Sequence, residues 1–134
     1  MASSPAPTRA VDVELKRYQE LQDELTQFSQ VRNQLYQQAN ENGMVKQELE
    51  LLKPGTKVFK MITPVLLKQD LDEAKVNVAK RIEFIQGEMA KVEKQIEAKT
   101  KEQAEIGDNI AKMQGEMQAR AAEEARKAVE ASKG

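Results

Sequence analysis

A seven-residue repeat of apolar side chains in the second half of the chain most constrains the fold. Fourteen positions, spaced alternately by four and three residues, form this seam, and eleven of them are apolar. The positions are Leu71, Lys75, Val78, Ile82, Ile85, Met89, Val92, Ile96, Lys99, Gln103, Ile106, Ile110, Met113 and Met117. Such a stripe is typical of a helix that packs along another helix in a coiled coil. With Asp70 as N-cap and Glu73 in the capping-box position, it predicts a helix over 70–118.

A weaker stripe of the same kind occupies the first part of the chain. Its ten positions are Val11, Glu14, Tyr18, Leu21, Leu25, Phe28, Arg32, Leu35, Ala39 and Asn42, of which seven are apolar. The register shifts at Asn42-Gly43, because the next apolar positions are Val45, Leu49 and Leu52. The helix therefore either kinks at Gly43 or stops there. No helix breaker follows in residues 44–52, which favours the kink and a helix over 9–52.

The two predicted helices have nearly the same length. As α-helices, residues 9–52 would span roughly 66 Å and residues 71–118 roughly 72 Å. This match predicts one antiparallel pair, a long two-helix coiled-coil hairpin in a mainly α fold. Polar residues interrupt both seams, and they either fix the register or pack only their aliphatic stems. These residues are Arg32, Asn42, Lys75, Lys99 and Gln103.

The segment between the helices predicts a β-hairpin. Lys53-Pro54-Gly55-Thr56 has the proline and glycine positions of a type II turn. Residues 57–68 are largely apolar, and Thr63-Pro64 divides them into two short strands. A lone two-stranded hairpin is marginal in water, and one helix pair cannot cover both its faces. We therefore favour assembly with other chains over packing on its own helices, through Val58, Phe59, Met61, Ile62, Val65, Leu66 and Leu67.

The two ends of the chain differ from the part between them. Residues 1–8 contain two prolines and small side chains, which predicts a disordered tail. Beyond Met117 the apolar repeat gives way to alanine and charged residues, so residues 119–134 are expected to form a polar, frayed tail. A single domain over 9–118 remains between them.

Composition excludes several classes of function. The 21 basic and 22 acidic residues give a net charge of −1, which argues against nucleic acid as the main partner. The chain has no His and no Cys, and so lacks the imidazole base, the thiol nucleophile and the commonest metal ligands. We predict no catalytic residue, no cofactor and no metal site. Without a long apolar run or a secretory signal, no membrane association is expected, and the cytosol is the expected location.

The middle of the chain resembles the prefoldin family, specifically its β-type subunits. The resemblance covers roughly residues 9–118 and is densest across 45–85. No single motif carries it; the specific feature is the order of several short segments. These are Val45-Lys46-Gln47-Glu48-Leu49, Leu51-Leu52, Val58-Phe59-Lys60, Pro64-Val65-Leu66-Leu67-Lys68-Gln69, Glu73-Ala74 and Lys80-Arg81-Ile82.

The resemblance implies a cytosolic, ATP-independent co-chaperone. Two α-type and four β-type subunits would join through their hairpins into an intersubunit β-barrel that carries coiled-coil arms. The arm tips would capture unfolded chains such as actin and tubulin and deliver them to the group II chaperonin. The family usually has glycine before the hairpin proline, where this chain has Thr63. Because threonine resists a primed turn, the geometry of this turn is left open.

Two alternatives stay open at this stage. At the termini, Val11, Leu15, Tyr18, Ile106, Ile110, Met113 and Met117 would form a client-binding tip if the helices splay there. They would equally form an ordinary closed seam if the helices stay paired. The second alternative concerns the whole protein, which could be a coiled-coil scaffold or tether without chaperone activity. The apolar segment 57–68 argues against a tether, which needs no hairpin.

Overall fold

The computed structural model describes residues 6–62 and 65–133, and it contains two long helices joined by a small antiparallel hairpin. The elements in chain order are α1 (Ala6–Leu51), β1 (Val58–Ile62), β2 (Val65–Gln69) and α2 (Leu71–Lys133). This confirms the predicted mainly α fold. The expected turn at Thr63-Pro64 and the first five residues of the expected tail lie outside the described residues.

Helix α1 is continuous through the point where its apolar register shifts. Asn42 and Gly43 are both helical, and the Asn42 side-chain amide donates a hydrogen bond to the Gln38 carbonyl at 2.7 Å. The helix therefore does not stop at Gly43. It begins at Ala6, three residues earlier than expected, so the last part of the predicted 1–8 tail is helical. Its end at Leu51 is one residue short of the predicted boundary.

Helix α2 continues well beyond the expected boundary at 118. It ends at Lys133, so residues 119–133, which were expected to form a frayed tail, are helical. The reason is intrinsic helix propensity: this segment is rich in Ala, Glu, Arg and Lys. A Glu123–Lys127 pair at 3.7 Å adds the favourable i,i+4 arrangement. Every residue from 119 to 133 is nevertheless exposed, which agrees with the loss of the apolar repeat.

The connection from α1 to β1 is a tight turn, as the Pro-Gly sequence predicts. The Thr56 amide donates to the Lys53 carbonyl at 3.1 Å, and Gly55 has φ of +87°. A positive φ at the third turn position is the requirement of a type II turn. After the hairpin, the Asp70 carbonyl accepts the Ala74 amide at 2.9 Å, so Asp70 is the N-cap residue of α2.

The described chain divides into two compact units. The terminal unit contains residues 6–27 and 96–133, and the hairpin unit contains residues 28–95. The helices run antiparallel in each. The buried apolar side chains are Val11, Leu21 and Ile110 in the terminal unit, and Leu49, Leu71, Ala74, Ile85 and Val92 in the hairpin unit. All except Ala74 occupy apolar positions of the predicted repeats.

Candidate protein-binding surfaces

The β-hairpin places apolar side chains on both of its faces. The register pairs Val58 with Gln69, Lys60 with Leu67 and Ile62 with Val65 on one face. Phe59 pairs with Lys68, and Met61 with Leu66, on the other, because successive residues of a strand point to opposite faces. Each face therefore combines several apolar side chains with one lysine.

Beyond Val58, the helices cover neither face of the hairpin. Among the seven predicted assembly residues only Val58 is half-buried, and it packs on the cluster of Leu49, Leu71 and Ala74. The other six are exposed: Phe59, Met61, Ile62, Val65, Leu66 and Leu67. Met61 is 74% exposed, which is extreme for an apolar side chain in a strand. Large exposed apolar patches on proteins are often sites of protein–protein interaction.

A shallow apolar groove lies at the hairpin end of the helix pair. Its volume is about 260 Å³, and its apolar lining consists of Leu49, Val76, Val78 and Ala79. Lys46, Glu50 and Lys75 also line it. Sequence reasoning missed Val76 and the exposed Phe84, since both lie outside the seam positions. Their apolar character at positions outside the repeat is the sequence signal that could have identified Val76 and Phe84.

The predicted tip residues in the terminal unit form a closed seam. Val11 and Ile110 are buried, while Ile106, Met113 and Met117 are partly buried. Leu15 and Tyr18 remain exposed at 43% and 38%. The Tyr18 ring also lies against Gly107, where it would be 3.5 Å from an added Cβ atom. The helices are thus paired in this unit, and client binding by these residues stays a prediction.

Polar contacts between the helices surround this seam. The Arg17 guanidinium donates two hydrogen bonds to one Glu102 oxygen, at 3.0 and 3.3 Å, and the bond to Glu102 raises the pKa of Arg17 above its ordinary value. Lys99 forms an ion pair with Glu24 at 3.3 Å, and the Gln103 amide donates to the Gln22 side chain at 3.0 Å. Two of the polar seam residues, Lys99 and Gln103, thus bridge the helices and help to fix their register.

A separate interhelical bond is present in the hairpin unit. The Tyr36 hydroxyl donates to the Glu93 carboxylate at 2.7 Å. Because ionisation would break this bond and place two negative charges together, the contact with Glu93 raises the pKa of Tyr36 above its ordinary value. The bond joins the two helices at this level of the hairpin unit.

Residues 6–62 and 65–133 contain neither a metal-ligand cluster nor a membrane-spanning helix. No group of three carboxylate, His or Cys side chains in this range could hold a metal ion. Neither of its helices has a stretch apolar enough and long enough to cross a membrane.

Comparison with known proteins gives consistent matches. The family model described as prefoldin subunit matches residues 13–131. The mouse (Mus musculus) protein named prefoldin subunit 6 is 38% identical over 105 residues, which cover 78% of this chain and 83% of the mouse protein. The probable prefoldin subunit 6 of Drosophila melanogaster is 38% identical over 119 residues, covering 89% of this chain and 95% of the fly protein.

A solved structure has the same fold. The crystal structure of the prefoldin beta subunit from Thermococcus strain KS-1 matches with a TM-score of 0.73, over 82% of this chain and 94% of that one. At 20% sequence identity the likeness extends to the fold alone.

Proposed function

Because the chain belongs to the prefoldin family, we propose that it is one subunit of a hexameric, ATP-independent co-chaperone of the cytosol. In this proposal it joins other α-type and β-type subunits through its hairpin and contributes one arm to the complex. It holds unfolded or nascent proteins, such as actin and tubulin, and passes them to the group II chaperonin. The chain performs no chemical step.

The observation that carries the proposal is the uncovered hairpin. Six apolar side chains on a two-stranded sheet stay exposed while the helices bury their own seam. Full burial of one large apolar side chain yields roughly 1.5–3 kcal/mol, so partners that cover this surface gain substantial free energy. The outer edges of β1 and β2 are also unpaired within the described residues, which provides backbone groups for strand addition.

Client binding is proposed at the terminal unit. Leu15 and Tyr18 are exposed there, and the partly buried Met113 and Met117 need only a small separation of the helices to reach a client. Methionine suits contacts with many sequences because its side chain is flexible and polarizable. Each contact can be weak, since several arms that bind one client at once raise the total affinity.

The client surface can be tested by replacing both methionines with aspartate. We expect Met113→Asp with Met117→Asp to leave the complex assembled, because both residues are remote in sequence from the hairpin. Suppression of client aggregation should fall severalfold, since charge weakens apolar contact. The measurement is light scattering of a diluted unfolded client in the presence of the assembled complex.

The matched control adds the same charge to exposed neighbours on the same helix. Gln114→Asp with Gln118→Asp should suppress aggregation as well as the unmodified chain does, because both glutamines are exposed. If the methionine variant assembles and suppresses aggregation as well as this control, the client surface is wrongly placed.

The closed seam of the terminal unit favours one second candidate, a scaffold or tether that uses its helices only for permanent pairing. The two candidates differ in the complex that the chain forms. The mass of the native complex, isolated through a tag after Gly134, should correspond to about six different small subunits if the chain is a prefoldin subunit. A homodimer or a single partner would instead support the tether.

A further inference from the structure

The charged side chains of the hairpin are all positive, a feature that its apolar surface does not explain. Residues 57–69 contain Lys57, Lys60 and Lys68 and no acidic residue. All three lysines are exposed. Every ion pair between described residues lies on the helices, so none involves these three ammonium groups. The chain as a whole is nearly neutral, which makes this local excess of positive charge distinctive.

The register places the lysines so that a partner on either face must meet one. Lys60 lies opposite Leu67 on one face, and Lys68 lies opposite Phe59 on the other. A partner that covers the apolar side chains of either face therefore also removes water from an ammonium group. This desolvation is unfavourable unless the partner supplies a carboxylate.

Lys60 also opposes pairing between two copies of this chain. Lys60 is the middle residue of β1, which runs from Val58 to Ile62. If β1 of one copy paired antiparallel with β1 of another over its full length, Lys60 would face Lys60. Directly opposite side chains in a sheet have Cβ atoms about 4.5–5.5 Å apart, and like charges there are destabilising. Lysines on strand edges also discourage unwanted pairing in natural sheets.

We propose that Lys60 and Lys68 select the neighbour of this chain in the assembly: a different subunit whose hairpin carries acidic residues opposite them. The inference rests on the proposed function, because it names the partner chemistry of the same hairpin. Apolar side chains supply the affinity, Lys60 disfavours a second copy, and both lysines favour an acidic partner. Specificity of this kind requires a repulsive element as well as an attractive one.

The proposal can be tested with this chain alone. The variant Lys60→Glu with Lys68→Glu converts the hairpin into an acidic partner for the unmodified chain. Each protein is examined by sedimentation velocity, alone and in an equimolar mixture, at low and high salt. We expect the mixture to associate roughly fivefold more tightly per opposed pair than either protein alone. High salt should remove most of this difference.

Two controls separate the hairpin charge from other effects. Lys94→Glu with Lys112→Glu changes the net charge equally at exposed helix positions, and its mixture with the unmodified chain should show no added association. Lys60→Gln with Lys68→Gln removes the repulsion without adding carboxylates, so this variant should self-associate more tightly than the unmodified chain. Circular dichroism establishes that each variant is folded.

Three outcomes would overturn the proposal. The first is a folded Glu variant that mixes with the unmodified chain without added association. The second is a Gln variant that self-associates no better than the unmodified chain. The third is strong, salt-independent self-association of the unmodified chain. A complex that still suppresses client aggregation under any of these outcomes would leave the proposed function standing. Charge-dependent association in a complex that does not suppress client aggregation would support the role of the lysines and contradict the proposed function.

Discussion

At the scale of single residues, two glycines outside the apolar seams have different roles. Gly55 has φ of +87°, a conformation that L-residues with a side chain rarely adopt. Gly43 lies inside α1 with ordinary helical geometry. An added Cβ atom would meet nothing within 4 Å at either position. Backbone conformation alone therefore distinguishes the two sites.

Replacing each glycine by alanine should change stability in opposite directions. Gly55→Ala should lower the free energy of unfolding by about 1–2 kcal/mol, because alanine is strained at positive φ. Gly43→Ala should raise it by about 0.5–1 kcal/mol, because alanine favours the helix and restricts the unfolded chain. Urea unfolding followed by circular dichroism measures both changes, and each variant serves as the control for the other. A stabilising Gly55→Ala would contradict the turn geometry.

At the scale of elements, the apolar repeat predicted what packs but not where each helix ends. Every buried residue except Ala74 lies at a predicted seam position, since the repeat reports contact with another helix. Residues 119–133 make no such contact, so the repeat carries no information about their conformation. Their helix follows instead from the helix propensity of alanine and charged residues. Likewise, the shift at Asn42-Gly43 changes the seam without interrupting α1.

The contrast between the packed part of α2 and its exposed last fifteen residues predicts the effect of shortening the helix. A chain that ends at Gln118 should lose ellipticity in proportion to the helical residues removed. Its free energy of unfolding should change by less than about 1 kcal/mol, because the removed residues are all exposed. Thermal and urea unfolding provide the measurement.

A second truncation provides the matched control. A chain that ends at Gly107 also loses the buried Ile110, so it should be destabilised by several kcal/mol. A comparable loss in the chain that ends at Gln118 would show that residues 119–133 pack against another part of the molecule.

At the scale of the whole molecule, the exposure of the hairpin could be predicted from the sequence, whereas the state of the terminal seam could not. The hairpin could be predicted because two short apolar strands cannot be covered by one helix pair, and six of its seven named residues are indeed exposed. Whether the terminal helices splay could not be predicted, since the same apolar repeat serves an open and a closed seam. Side-chain contacts such as Arg17 with Glu102 join residues 85 positions apart and leave no local signal.

The assembly role of the hairpin gives a prediction for the complete complex. Phe59→Asp with Leu66→Asp should leave the helices of the isolated chain intact, because both side chains are more than half exposed. The variant should fail to enter the complex, since two carboxylates would be placed in an apolar interface. Co-purification with the other subunits measures assembly.

The control for this variant adds the same charge at exposed apolar positions of the terminal unit. Val13→Asp with Val129→Asp, at 64% and 53% exposure, should assemble normally. Equal incorporation of the hairpin variant and this control would exclude the hairpin as the assembly surface.

The sequence separation of the interhelical contacts also has a consequence for the order of folding. Residues joined by the hairpin register are at most 11 positions apart, from Val58 to Gln69. Tyr36 and Glu93 are 57 positions apart, and Arg17 and Glu102 are 85. Because the entropy lost on closing a loop increases with its length, contacts near the hairpin form at the lowest cost and allow the next ones to follow. We therefore expect the helices to pair from the hairpin toward the termini, so that the seam with the proposed client-binding residues forms last.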